Sequence, residues 1–215
     1  MDQYAVALCR EGHLLLLDCG TLACRHVPFD LPGAALVVGH TGVRRSLLAS
    51  EYSPRRRECE RALALIAGVV GEREHLGAVS PEDFEAARDA LPDVPRMRAE
   101  HVVYENARVG EACDALDAGD PERLGLILNR SHASLRDLFQ VSCPELDALQ
   151  EISLRRPGVW GCRMTGAGFG GCVIALMEQD ALADYLETVP DLYRRATGRE
   201  PSFLPVSPSA GARPL

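Results

Sequence analysis

The stretch RMTGAGFGGCVIALM, residues 163–177, sets four glycines between two apolar segments. Gly166, Gly168, Gly170 and Gly171 fall within six consecutive residues. Glycine at this density indicates a backbone that turns tightly or comes very close to another group. The flanking patterns WGCRMTG and GCVIALM are typical of buried strands. The sequence therefore predicts a strand–loop–strand unit whose loop approaches a ligand or the next layer of the protein.

The same glycines fit the pattern G-x-G-x-x-G, which occurs in several nucleotide-binding proteins. A dinucleotide-binding fold requires a helix directly after these glycines, whereas a strand pattern follows here. A P-loop and a protein-kinase site both require a lysine, and all 23 basic residues of this chain are arginine. The P-loop and the protein-kinase site are therefore excluded, the pattern supports a dinucleotide-binding site only weakly, and a plain tight turn between two strands remains open.

Composition and charge restrict the class of protein. The 215 residues are 47% hydrophobic and 25% charged, which is ordinary for one sizeable globular domain or two small ones. A net charge of −8 argues against a general nucleic-acid binder. No apolar run approaches the roughly 18 residues of a membrane span, and no basic segment begins a signal peptide. We expect a cytoplasmic protein without nucleic-acid or membrane partners.

The eight cysteines raise the question of a metal site or disulfides. The nearest approach to a ligand cluster is Cys9, His13, Cys19, Cys24 and His26. No C-x-x-C pair occurs, and most cysteines lie beside apolar residues, as buried thiols do. We therefore expect reduced thiols and no metal ligands.

Four helices are predicted from a capping residue followed by proline at the first helical position. A further segment has apolar residues at helical spacing and predicts one long helix over 95–120. The four predicted starts are Ser53–Pro54, Ser80–Pro81, Asp120–Pro121 and Cys143–Pro144.

Strand patterns cluster towards the two ends of the chain. A block of helices separates the early strands from the late ones, which indicates an α+β sandwich. Pro28, Pro32 and Gly33 mark a plausible boundary after the first two strands. Besides the pair around the glycines, strands are predicted at 13–19, 24–29, 34–40 and 201–208, with a helix at 178–198.

Several segments together resemble galactokinases, which belong to the GHMP kinase family. The segment PGVWGCRMTGAGFGGCVIAL (157–176) resembles the third motif of that family, and four others occur in the family's order. They are VRRSLLASEYSPRRRECERAL (43–63), RAEHVVYEN (98–106), SHASLRDLFQVSCPELDAL (131–149) and the ending ATGREPSFLPVSPSAGARPL (196–215). The resemblance implies a ferredoxin-like GHMP kinase C-terminal domain at 32–215. It implies that residues 1–31 are the end of a ribosomal-S5-like N-terminal domain.

The resemblance also implies phosphorylation of galactose at its C1 hydroxyl by ATP, with Mg²⁺. Asp2, in the opening MDQ, would be the catalytic base, and Tyr52 would contact the sugar. From the residues alone, Asp2 is more typical of a helix cap or a chain end, and Tyr52 of a half-buried tyrosine. The glycines implied near the ATP phosphates are Gly166, Gly168, Gly170 and Gly171. A kinase for another sugar or small alcohol and a non-catalytic GHMP-like binding protein remain alternatives.

We expect these 215 residues alone to be inactive. Galactokinases carry a sugar-binding motif of the type G-R-V-N-L-I-G-E-H-x-D-Y and a phosphate loop of the type P-x-G-x-G-L-S-S-S-A. Neither motif occurs here. Phosphoryl transfer depends on positioning, so an incomplete cleft should give little rate. We expect a monomer that needs an amino-terminal half. Clear galactose-dependent ADP release by the isolated chain would contradict this expectation.

Overall fold

The computed structural model describes residues 2–43 and 49–212, without the side chains of Asp2 and residues 49–53. Within this part of the chain, no helix is both long and apolar enough to cross a bilayer. The helices are α1 (Asp2–Leu8), α2 (Ala49–Val70), α3 (Pro81–Ala87), α4 (Asp93–Asp117), α5 (Pro121–Ser134), α6 (Pro144–Leu154) and α7 (Leu182–Thr197).

Three of the four proline-marked helix starts are confirmed. The Ser80 hydroxyl accepts a hydrogen bond from the Asp83 amide at 3.1 Å, which caps α3. The Asp120 carboxylate accepts one from the Arg123 amide at 2.9 Å and caps α5 in the same way. Helix α6 begins at Pro144 without a side-chain cap. Each proline occupies a first-turn position, where its missing N–H would have no helical partner.

The start predicted at Ser53–Pro54 is wrong, because α2 begins at Ala49 and Pro54 lies inside the helix. A proline at this place removes a single backbone hydrogen bond, that to the carbonyl of Ser50, close to the helix start. Helix α1, which has Asp2 as its first residue, is not among the helices that the sequence patterns predict.

The helix predicted after Asp120 also changes its geometry before it ends. Helix α5 passes into a π-helical turn at Leu135–Phe139, which is followed by Gln140 in the left-handed conformation (φ 56°, ψ 52°). A π-turn inserts an extra residue into a helix and often lies at functional sites. Here it turns the chain sharply into the segment Gln140–Ser142.

The strands form two separate antiparallel sheets. Strands β1 (His13–Leu17) and β2 (Cys24–Pro28) form a hairpin, with Leu15 opposite His26. The second sheet has the order β4–β5–β3–β6, in which β3 pairs with both β5 and β6. Its strands are β3 (Ala34–His40), β4 (Val159–Thr165), β5 (Cys172–Glu178) and β6 (Ser202–Val206). The predicted order of strands and helices along the chain and the α+β class are confirmed.

The main core lies between one face of the four-stranded sheet and helices α6 and α7. Met164 and Val173 from the sheet meet Leu149, Tyr185 and Tyr193, all fully or almost fully buried. The hydroxyl groups of Tyr185 and Ser153 form a hydrogen bond of 2.7 Å, so the buried phenol of Tyr185 has a partner inside the core. This core fixes β4 and β5, which carry the glycine loop between them.

Helix α5 covers the outer edge of β4. Asn129 donates from its side-chain amide to the Trp160 carbonyl at 3.2 Å and accepts from the Cys162 amide at 2.9 Å. The contact is close because glycines face each other: a Cβ added to Gly161 would lie 2.3 Å from the carbonyl oxygen of Gly125. The helix thereby hydrogen-bonds an edge that would otherwise be unpaired.

The opposite edge strand, β6, contains Pro205, which lacks an N–H for pairing with a further strand. The β1–β2 hairpin packs elsewhere, with Val27 and Leu31 buried against residues of α4 and α5 such as Leu116 and Leu124. The assignment of 1–31 and 32–215 to two domains stays a prediction.

We expect Gly125→Ala to destabilise the protein and Gly110→Ala to stabilise it. A Cβ at Gly125 would lie 2.5 Å from the backbone of Trp160, whereas one at Gly110, also inside a helix, would meet nothing within 4 Å. The first change should cost about 1–3 kcal/mol through overpacking. The second should gain up to about 1 kcal/mol from helix propensity. Urea unfolding measures both, and equal effects would contradict the close contact.

Candidate functional site

The loop that joins β4 to β5 requires glycine at four positions. Gly166, Gly168, Gly170 and Gly171 have φ values of 84°, 87°, 121° and 89°, all in the region that side chains disfavour. Phe169 adopts a positive φ of 58° between them. The predicted strand–loop–strand unit is therefore confirmed, and its glycines have a conformational reason.

One side of the loop lies against the segment that follows the π-turn. The Phe169 amide donates to the Val141 carbonyl at 2.8 Å. A Cβ added to Gly168 would lie 2.1 Å from the same carbonyl oxygen, so no larger residue fits without displacement of the backbone. This contact holds the loop to residues almost 30 positions away in the chain.

The other side of the loop is attached to the end of β3. The Gly171 carbonyl accepts hydrogen bonds from the Thr41 amide at 2.9 Å and from the Thr41 hydroxyl at 3.0 Å. The Gly171 amide donates to Val43 at 3.3 Å. The Tyr193 hydroxyl of α7 donates to the Thr41 carbonyl at 2.8 Å, which anchors this side in the core.

The tip of the loop is exposed, in contrast to its two sides. Gly168, Gly170 and Gly171 are buried, whereas Thr165, Gly166 and Ala167 face solvent. Within the described part of the chain, the amides of residues 166–168 make no hydrogen bond. Free backbone N–H groups in positive-φ conformations are suited to binding an anion. The buried glycines thus shape the loop, and Gly166 belongs to the surface that a ligand could reach.

His132 fixes the strand that leads into the loop. Its Nδ1 accepts a hydrogen bond from the Met164 amide at 3.0 Å, and its Nε2 donates to Asp147 at 3.2 Å. Burial lowers the pKa of His132, although the nearby Asp147 carboxylate opposes that shift. The neutral ring is required here, since a protonated Nδ1 could not accept from Met164.

A cluster of charged residues holds the turn that contacts Gly168. Arg98 of α4 donates to Glu58 of α2 and to the side chain of Gln140, each at 2.7 Å. Arg55 donates to Glu58 at 2.7 Å and to the Gln140 carbonyl at 3.1 Å. Burial alone would raise the pKa of the Glu58 carboxyl, but the hydrogen bond from Arg98 and the charge of Arg55 lower it.

His101 supports the π-turn from α4. Its ring stacks on Phe139 with centroids 4.4 Å apart, and its Nδ1 lies 2.9 Å from the Ser134 hydroxyl. Burial lowers the pKa of His101 to about 4, although Glu105 opposes the shift. The ring is therefore neutral at physiological pH and packs as an aromatic group.

The other predicted site residues fall outside the described side chains. Asp2 is the first residue of α1, and Tyr52 lies in the first turn of α2. Their proposed roles stay predictions. Sequence reasoning missed Arg98 and His132, although both are polar residues on the buried faces of amphipathic helices. A polar or charged residue at a helix position whose spacing places it among the apolar residues is the sequence signal that could have marked them.

Among the side chains that the structure describes, no group of three or more His, Cys, Asp or Glu could hold a metal ion. His13 and His26 meet edge to face at 6.2 Å, and His26 Nε2 bonds the Leu8 carbonyl at 2.7 Å. An open cleft of about 410 Å³ lies apart from the glycine loop, lined by residues that include Phe29, Leu36 and Pro205.

The family model "GHMP kinases C terminal" matches residues 112–194, a segment that includes α5, the π-turn, α6 and the whole glycine loop. The chain contains a GHMP kinase C-terminal domain. The structure of L. major mevalonate kinase in complex with R-mevalonate shares this fold, with a TM-score of 0.56 at 20% identity over 93% of this chain and 50% of that one. The expected GHMP kinase C-terminal fold is therefore confirmed.

Relatives with higher identity extend the similarity beyond this domain. Galactokinase from Clostridium beijerinckii is 40% identical over 216 residues, which cover 100% of this chain and 55% of the relative. Human galactokinase is 43% identical over 193 residues, covering 90% and 48%. The structure of Lactococcus lactis galactokinase complexed with galactose has a TM-score of 0.93 at 36% identity, covering 99% and 55%. The chain spans about half the length of the curated relatives it matches.

We expect Gly168→Ala to destabilise this domain more than Gly119→Ala. Both residues have positive φ, 87° and 64°, so both variants suffer the same kind of backbone strain. A Cβ at Gly119 would meet nothing within 4 Å, whereas one at Gly168 would clash with Val141. The difference should be about 1–3 kcal/mol in the free energy of unfolding. Equal values in urea titrations would contradict the loop contact.

We expect the protein to lose stability as the pH falls from 7 to 5, partly because of His101. The pKa of His101 is about 4 in the folded state, below its ordinary value of 6.5. As the pH falls, His101 therefore binds a proton in the unfolded chain before it does so in the folded one. The free energy of unfolding decreases by about 2 kcal/mol over this interval because of this group. His101→Gln should remove that part of the loss. Urea midpoints at both pH values measure it, and an unchanged pH dependence would contradict the assignment.

Proposed function

We propose that this chain forms the C-terminal half of a galactokinase catalytic unit, which transfers the γ-phosphoryl group of ATP to the C1 hydroxyl of galactose. The observation that supports this most strongly is the agreement with L. lactis galactokinase over 99% of the chain, at a TM-score of 0.93. The curated relatives of similar identity are also galactokinases. A cytoplasmic location and a monomeric state remain predictions.

The glycine loop would face the phosphates of ATP. Its sides are fixed through Val141 and Thr41, so the free amides at the tip would be held in place before the nucleotide binds. Donors held in this way stabilise developing negative charge without reorganisation during the reaction. Gly166 is the glycine that would approach the phosphates, and Gly168, Gly170 and Gly171 would act by shaping the loop.

Asp2 would accept the proton of the C1 hydroxyl as that oxygen attacks the γ-phosphorus of ATP. Such a base contributes when it lies within hydrogen-bond reach of the hydroxyl. Tyr52 would hydrogen-bond a sugar hydroxyl and cover part of the pyranose ring. The oxygen–phosphorus bond to galactose forms as the bond to ADP breaks, and the proton passes to Asp2.

The described residues include no group of three or more His, Cys, Asp or Glu side chains that could hold a metal ion, so they would not hold Mg²⁺ without oxygen ligands from ATP. Magnesium prefers carboxylate oxygens together with substrate phosphates. We therefore assign no step to residues of this chain through Mg²⁺.

A chimera tests the proposed function. This chain would replace the segment of C. beijerinckii galactokinase that aligns with it, and ADP release would be measured with galactose and ATP. We expect galactose-dependent turnover. Asp2→Asn should lower kcat by about 10²–10⁴-fold, the range for loss of a general base. Asp89→Asn, a change at an exposed surface position, is the matched control.

Other outcomes separate the alternatives. Turnover of another sugar or small alcohol without turnover of galactose would indicate a different GHMP kinase. Galactose or ATP binding without any turnover would indicate a binding protein. Full activity of the Asp2→Asn chimera would refute the role of Asp2.

A further inference from the structure

Arg98 is a buried arginine that holds the turn against which the glycine loop lies. Only 4% of its side chain is exposed. Its Nε donates to Glu58, its Nη2 to Gln140, and its Nη1 to the carbonyl of Leu138. The flat guanidinium group thus bonds three partners on two different segments, which the single ammonium of a lysine could not reproduce.

The turn that Arg98 holds has an unfavourable backbone. Gln140 adopts a left-handed conformation that residues with a Cβ avoid. Arg98 bonds the residue two positions before it and the Gln140 side chain, and Arg55 bonds its carbonyl. These charge-assisted hydrogen bonds offset the cost of the conformation. The next residue, Val141, contacts Gly168 and Phe169 in the glycine loop.

The same cluster continues to the first turns of α2. Glu58 accepts from both Arg98 and Arg55, so it joins the two arginines. Arg55 lies three residues after Tyr52 on this helix, one turn away. Its guanidinium also lies 5.6 Å from the centre of the Phe139 ring in the π-turn. A continuous set of contacts therefore links the helix that carries Tyr52 to the loop that carries Gly166.

We propose that Arg98 is a positioning residue that sets the glycine loop relative to the start of α2, and so aligns the nucleotide with the sugar. This proposal rests on the proposed function for its two substrates. Arg98 would touch neither substrate. It would act through Gln140 and Val141 on the loop, and through Glu58 and Arg55 on α2.

The contacts around Arg98 argue for this role over a general contribution to stability. A buried ion pair often adds little net stability compared with apolar residues, whereas it fixes geometry. Arg73 provides the comparison, since it pairs with Asp83 at 2.7 Å and donates to the Val70, Gly71 and Glu72 carbonyls. These contacts join α3 to the end of α2 and the residues just after it, and they do not reach the glycine loop.

Amide hydrogen exchange of the 215-residue chain tests the structural part of the proposal. We expect Arg98→Gln to speed exchange at the Phe169 amide by about tenfold or more, the scale of one lost charge-assisted hydrogen bond in a local opening. The amides paired between β3 and β5, such as those around Val37 and Ala175, should exchange as before. Gln140→Leu removes a single bond to Arg98 and should give a smaller effect in the same direction. Arg73→Gln should leave Phe169 unchanged.

Kinetics of the chimera test the functional part. Arg98→Gln should raise KM for both ATP and galactose, whereas a loss of folded protein would lower kcat with KM unchanged. Arg98→Lys keeps the charge but loses the planar group, so it should recover part of the effect. Arg73→Gln should leave both KM values as in the parent.

The outcomes separate this proposal from the proposed function. Unchanged exchange at Phe169 in both Arg98→Gln and Gln140→Leu, or equal acceleration across the whole sheet, would overturn the positioning role whatever the substrate. Arg98→Gln could speed exchange at Phe169 while the chimera with the unchanged chain phosphorylates no galactose. That result would support the positioning role of Arg98 and refute the proposed function. A lower kcat of the Arg98→Gln chimera with unchanged KM for ATP and galactose would overturn the proposal that Arg98 aligns the two substrates.

Discussion

The contact between the Gly168 backbone and the Val141 carbonyl is the constraint on which the site depends. The two backbones are so close that a Cβ at position 168 would clash with Val141. This contact holds the loop between β4 and β5 against the turn that follows the π-helix. Every element behind that turn must then be fixed just as closely, since a shift of a fraction of an ångström would open the contact. Helix α5 and the buried polar groups around it hold the loop and the turn at this short distance.

Helix α5 supplies the first part of that support. Gly125 lies against Gly161, so the helix axis is close enough for Asn129 and His132 to hydrogen-bond the edge of β4. The same helix continues directly into the π-turn. One rigid element therefore fixes both the strand entering the loop and the turn beneath it. The glycines in α5 and β4 are as necessary for the loop as those inside it.

Buried polar groups supply the second part. Arg98, His101 and His132 are all buried, and each has hydrogen-bond partners that offset the loss of water. His132 and His101 have lowered pKa values because burial disfavours their charged forms. Apolar side chains could fill the same volume, but they would not specify the direction of a carbonyl or an amide. These groups determine orientation where the apolar core determines compactness.

The sequence by itself determined the strand–glycine loop–strand unit, the order of strands and helices along the chain and three of four helix starts, because these depend on local spacing, proline and glycine. It also carried the resemblance to GHMP kinases. It could not give the true start of α2 at Ala49, the π-turn or the different roles of the four glycines. Those depend on contacts between residues far apart in the chain, such as Gly168 with Val141 and Arg98 with Glu58 and Gln140. Local patterns show which conformations a segment can adopt, and only tertiary packing selects which backbone atoms meet.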